Sequence, residues 1–98
     1  MNPVERNLKG IELEKIGLVD EAVNLYLENV KENFDGSHPY NRLIAIYVNQ
    51  NKINEAIEIT KRAIYVFENI VYQKRTDRVT KLDRYKKQLS TLLAKGTL

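Results

Sequence analysis

His38 is the only histidine in the chain, and a serine precedes it. A serine nucleophile served by an imidazole base is the chemistry such a pair suggests. Adjacent residues, however, cannot set hydroxyl and ring at a useful distance and angle, and the flanking sequence signals no acid to orient the imidazole. His38 therefore reads as a helix-start residue at the junction between helices. Carboxylates are more plentiful: Glu12, Glu14, Asp20, Glu21, Glu28, Glu32 and Asp35. General acid–base work needs a carboxyl group whose pKa is moved by burial or a close neighbour. These fall mainly on the outer faces of the expected helices, which makes them a solvated surface. Without cysteine, a metal would have to rely on one histidine and oxygen donors. Asp35-Gly36 lacks the repeated acids of a calcium loop, and no glycine-rich phosphate loop is present. The sequence implies no enzyme, no metal and no cofactor.

Seven Lys and Arg residues crowd positions 74–87, and such a cluster is able to meet phosphates. Wound as a helix, Lys81, Arg84 and Lys87 point away from the Val79–Leu82–Leu89 face, whereas Arg75, Arg78 and Lys86 flank or interrupt it. With Lys74 they do not make one stripe. The cluster dominates the charge pattern all the same. Residues 1–73 hold eight basic and eleven acidic side chains, a net of −3, and residues 74–98 hold eight against two, a net of +6. An acidic body with a basic end segment suits an acidic protein surface, a second copy's acidic body included, better than a nucleic acid.

The elements that must position these residues are helices. Four Gly, two Pro and 43% hydrophobic residues in 98 leave room for one domain with short connections. No apolar run reaches membrane-spanning length, the start carries charges where a signal peptide needs an apolar core, and cysteine is absent; the expectation is a cytoplasmic protein with no membrane partner. Asn2-Pro3-Val4-Glu5 predicts a helix start with a capping box. Val4, Leu8, Ile11 and Ile16 follow near helical spacing, and Gly17 suits a left-handed end. A second helix runs from about Val19, with Val19, Ala22, Val23, Tyr26, Val30 and Phe34 as its stripe. Ser37 is the expected cap of a third, from Tyr40 to about Asn49. Asn51 replaces Gly17 before a fourth helix from Ile53, expected to be the longest because nothing stops it before Arg75. A fifth, from about Asp77 to Lys95, shows Val79, Leu82, Tyr85, Leu89, Leu92 and Leu93 on one face. Tyr26, Tyr40 and Tyr47 are expected in the core with hydroxyls reaching an edge. Tyr65, Tyr72 and Tyr85 are freer.

GLVDEAVNLY (17–26) and NKINEAIEIT (51–60) are two versions of one phrase, with Ala22 and Ala56 thirty-four residues apart. Two helical hairpins, each with an apolar face too wide to cover from within, stack until a last helix closes them. The period, the helix–turn–helix unit and the small residues resemble tetratricopeptide (TPR) repeats. Gly10 and Ile44 take the small position of the first helix, Leu13 and Tyr47 the large one after it, and Asn29 and Ala63 the small position late in the second. Arg6 and Lys9 depart from the family's aromatic and Leu, and Phe34 and Glu68 from its Pro. GSHPYNRLIAIY also resembles small bacterial and phage TPR-like proteins. The resemblance implies an all-α solenoid in a single domain over 1–98: repeat one at about 3–35, repeat two at about 37–73, and a basic capping helix at about 77–95.

In that family the first helix of each hairpin lines the concave face. The resemblance thus implies contacts from Asn7, Ile11, Glu14 and Lys15, and from His38, Asn41, Arg42, Ala45, Val48 and Asn49. Arg42 and the asparagines are suited to an extended peptide. The Lys, Asn and Arg set with which some TPR proteins clamp a terminal carboxylate is not reproduced. The implied function is a non-catalytic module binding a peptide or protein. The alternatives are self-association into a homo-oligomer such as a homodimer, and nucleic-acid binding through Lys74, Arg75, Arg78, Lys81, Arg84 and Lys87.

Overall fold

A computed structural model describes residues 1–96 and forms five helices: α1 Pro3–Lys15, α2 Val19–Lys31, α3 His38–Asn49, α4 Ile53–Asn69 and α5 Arg78–Gly96. Consecutive helices pack on one another. None of them is long and apolar enough to cross a membrane. The all-α expectation holds.

Local chemistry explains most of the boundaries. The Asn2 side chain accepts from the Glu5 N–H at 2.8 Å, and Glu5 accepts from the Asn2 N–H at 3.2 Å, a complete capping box with Pro3 just inside the helix. Ser37 does not cap with its side chain; its carbonyl accepts the Asn41 N–H instead. Gly17 and Asn51 hold φ of +83° and +59°. After each, the next N–H returns to the carbonyl five residues back, Leu18 to Leu13 at 2.9 Å and Lys52 to Tyr47 at 2.8 Å. The two turns are thus built alike, thirty-four residues apart. Asn33, at φ +57°, ends α2 by the same device, a stop the sequence reading did not anticipate.

The end of α4 differs from expectation. α4 stops at Asn69, so α5, with 19 residues against 17, is the longest helix. Ile70 and Val71 both donate to the Val66 carbonyl, and this tightened end folds Val71 into the core. The Arg75 guanidinium then pins the connection, bonding Asp77 and the Asp35 carbonyl and lying 5.6 Å over the Phe67 ring.

The core lies where α4 meets α3 and α5. Tyr40, Leu43, Ala56, Ala63, Val66 and Phe67 have no exposed surface. Ala22 and Ala56 are both fully buried, as are Tyr26 and Thr60 thirty-four residues apart. On α5, Leu82, Tyr85 and Leu92 are buried, while Val79 and Leu93, expected on the same face, stay exposed.

The larger correction concerns α1. Val4, Leu8 and Ile16 are exposed, and the helix buries Asn7, Gly10 and Leu13 instead. Gly10 is the reason. A Cβ added there would fall 2.5 Å from Tyr26 Cε1 and 2.6 Å from Cζ, so the missing side chain lets the ring seat against the α1 backbone. Gly10→Ala is expected to lower stability by a net of up to about 2 kcal/mol. Alanine favours the helix by about 1 kcal/mol, but overpacking costs about 1–3 kcal/mol, and the fully buried ring is held by its hydroxyl and cannot swing clear. Chemical denaturation of the two proteins gives the difference directly.

Candidate functional site

Of the residues expected to line the α1–α3 face, Glu14 and Arg42 form its centre. Arg42 donates to both oxygens of Glu14, from Nη2 at 2.6 Å and from Nε at 3.1 Å, and the Tyr26 hydroxyl donates to Oε2 at 2.6 Å. This bidentate pair ties α1 to α3 across the hairpin junction. The Arg42 guanidinium holds the Glu14 carboxyl below its ordinary range, with the Tyr26 hydroxyl adding to the effect against the cost of burial. Burial and the carboxylate beside it push the Tyr26 phenol far up.

Around this pair a cleft of about 400 Å³ opens, lined also by Val19, Ala45, Ile46, Asn49 and Gln50. Glu14, Arg42, Ala45 and Asn49 therefore come together as expected. Lys15 is exposed, and Ile11 and Val48 are half-buried, Val48 against the core. Asn7 does not line a free face: it is buried and accepts from Asn29 at 2.8 Å. Asn41 is exposed, yet its Oδ1 accepts the Tyr85 hydroxyl at 2.8 Å, so it joins α3 to α5. The polar groups from which the sequence built a peptide clamp are thus largely engaged within the chain.

His38 stands next to the pair, its ring edge-on to Tyr26 with centroids 5.5 Å apart. Its Nε2 is buried without a hydrogen-bond partner. Burial, and then the Arg42 charge, lower its pKa from the ordinary 6.5, with Glu14 opposing them in part. The fold thus prefers the neutral ring, so the stability this gives is complete above pH 6.5 and drains as pH falls through the lowered folded value. Glu14 is also lowered, from 4.5, and its contribution is lost at still lower pH. Melting temperature is therefore expected to fall in two stages on acidification. His38→Gln should remove the stage that sets in as pH falls below 6.5 and leave the one that sets in below pH 4.5, as followed by circular dichroism.

The basic segment is divided. Arg75 bonds Asp77, Lys81 meets the same carboxylate at 2.9 Å, and Arg78 donates to the Glu68 carbonyl at 3.3 Å. Two cations hold the Asp77 carboxyl far below its usual range. Lys74, Arg84 and Lys87 are exposed. The sequence placed all of these on one candidate interface, whereas the fold uses Arg75, Arg78 and Lys81 to fix the α4–α5 connection.

No family model, curated protein or solved structure matches the chain.

What sequence reasoning missed is the apolar surface. In the row Val4, Leu8 and Ile11 on α1, Val4 and Leu8 are each 59% exposed and Ile11 is half-buried. A groove of about 660 Å³ also runs between α2 and α4. Tyr65, an aromatic residue off the buried stripe of α4, was its one legible signal.

Proposed function

We propose that the chain is a non-catalytic protein-binding module. It is a TPR-like stack of two helical hairpins closed by a basic helix, and it takes a peptide or protein segment on the side where α1 meets α3. The matched turns at Gly17 and Asn51 and the matched burial of Ala22 and Ala56 support the repeat. The observation that carries the binding reading is the uncovered aliphatic row of α1. Its polar neighbours Asn7 and Glu14 are satisfied inside the chain, so water meets Val4 and Leu8, with Ile11 half-buried beside them, at a helix face whose own bonds are complete. A row of anchors at steps of three and four is the pattern by which one helix meets another protein's surface.

Leu8→Glu tests this. The position is exposed, so stability should stay within about 0.5 kcal/mol. Capture of host proteins on immobilised chain, counted by mass spectrometry, is expected to fall at least tenfold. Equal yields of the same proteins on both baits would overturn the reading.

A further inference from the structure

Two surfaces of the chain lack a partner, and each carries what the other needs. On α1, Val4, Leu8 and Ile11 recur at steps of four and three. They lie roughly 120° around the helix from the Gly10 side that meets α2. Glu5 and Glu12, both exposed, border this row, Glu12 with Lys9 at 3.6 Å beside it, and the exposed Lys15 follows Ile11 at the next step of four. Between α2 and α4 the 660 Å³ groove is lined by the apolar Leu27, Val30 and Ile59 and by the charged Lys31, Lys61, Arg62 and Glu58. Lys61 has one distant ion pair, with Glu58 at 3.7 Å. Arg62 lies 5.8 Å over the Tyr65 ring. Neither Lys31 nor Arg62 meets a carboxylate among the described residues. One surface is a ridge of aliphatic side chains bordered by two glutamates; the other is an apolar trough on which three cations outnumber one carboxylate.

We propose that α1 of one copy lies in the α2–α4 groove of the next. The inference rests on the α1 row being a contact face and names its partner as another copy of this chain. The groove falls within the ~300–1,000 Å³ of binding clefts, and a helix presenting anchors at i, i+4 and i+7 is the ligand such a trough accepts. Glu5 and Glu12 then face the rim cations. Like-to-like pairing does not meet these conditions, because groove on groove sets Lys31 and Arg62 against their own copies, and row on row does the same for the glutamates. Row and groove are different patches of one chain, so the contact is heterologous. Every molecule keeps a free row at one side and a free groove at the other, and association continues into a chain of copies or closes as a ring.

Sedimentation of the full chain over a range of concentrations, at low and high salt, tests the contact. The wild-type protein is expected to gain mass with concentration, less so at high salt. Leu8→Glu, and Lys31→Glu combined with Arg62→Glu, should each remain at the single-chain mass of 11.4 kDa with unchanged melting temperature, since all three positions are exposed. Mixing these two variants should restore one contact, because the first keeps an intact groove and the second an intact row. The mixture must then give a discrete species of twice the chain mass that does not grow further. A wild-type chain that stays monomeric at millimolar concentration overturns the contact, as does a mixture that stays monomeric. If the chain is monomeric while Leu8→Glu still loses its captured host proteins, the row serves a different protein; the binding reading then stands and this inference falls.

Discussion

Tyr85→Ala is expected to cost about 3–5 kcal/mol and to lower the melting temperature by roughly 12 °C or more. Tyr85 is 2% exposed at the middle of α5, and its ring packs at 5.5 Å on Phe67 of α4. Its hydroxyl donates to Asn41 Oδ1 at 2.8 Å and lies 3.5 Å from the Ser37 carbonyl. One side chain thus joins the last helix to both helices of the second hairpin. Against a typical domain stability of about 5–15 kcal/mol, its removal would consume a large share. Tyr85→Phe keeps the ring and exposes Asn41 Oδ1 to water, so about 1 kcal/mol is expected. Urea unfolding of the three proteins separates the ring from the hydroxyl. A Tyr85→Ala loss below about 1 kcal/mol would mean that α5 is not part of the cooperative unit. Arg84→Ala and Lys87→Ala, at exposed positions, should change little, because α5 is held by burial rather than by its charge.

The contrast between α5 and α1 shows what the sequence discloses. On α5 the spacing pointed to Val79, Leu82, Tyr85, Leu89, Leu92 and Leu93, and the helix buries Leu82, Tyr85 and Leu92 with Leu89 packed against them while the edge residues Val79 and Leu93 stay exposed. On α1 the same rule pointed to Val4, Leu8 and Ile16, and the helix is turned away from them. Hydrophobic spacing finds the inner face only where burial of those side chains outweighs other contacts. In α1 the small residue decides, since Gly10 is where the backbone approaches Tyr26. The period of thirty-four had already aligned Gly10 with Ile44 and Leu13 with Tyr47, and all four are buried. Comparison of the hairpins therefore read α1 better than its own pattern did. The candidate face was legible at the level of position, for Glu14, Arg42, Ala45 and Asn49 share one cleft. Their bonding was not, because Arg42 to Glu14 and Tyr85 to Asn41 bridge residues twenty-eight and forty-four apart, and no local rule couples such distances. The α2–α4 groove was hidden for a similar reason: its floor comes from residues that count as core within each helix and become a trough only when the two helices stand apart.

Asn29→Ala is expected to destabilise the protein by about 2–4 kcal/mol, although the corresponding position thirty-four residues on is alanine, Ala63, and fully buried. Asn29 has no exposed surface and uses its whole carboxamide: Nδ2 donates to Asn7 Oδ1 at 2.8 Å and to the Pro3 carbonyl at 2.9 Å, and Oδ1 accepts from Arg6 at 3.0 Å. Truncation strands the buried Asn7 acceptor, at about 1–3 kcal/mol, and removes one further hydrogen bond from the half-buried Pro3 carbonyl, at about 1 kcal/mol. Arg6 is spared, since it keeps Glu28 and Glu32 as partners at 3.0 and 2.7 Å. The loss should therefore depend on Asn7. In Asn7→Leu combined with Asn29→Ala the main stranded acceptor is gone and apolar volume replaces it, so the double variant should be more stable than the Asn29→Ala variant alone. A double-mutant cycle by urea unfolding measures that coupling. Additive losses would show that the two amides act independently, and the pairing of α1 with α2 would then rest on the Gly10–Tyr26 contact, the Tyr26–Glu14 hydrogen bond and the Arg6 ion pairs.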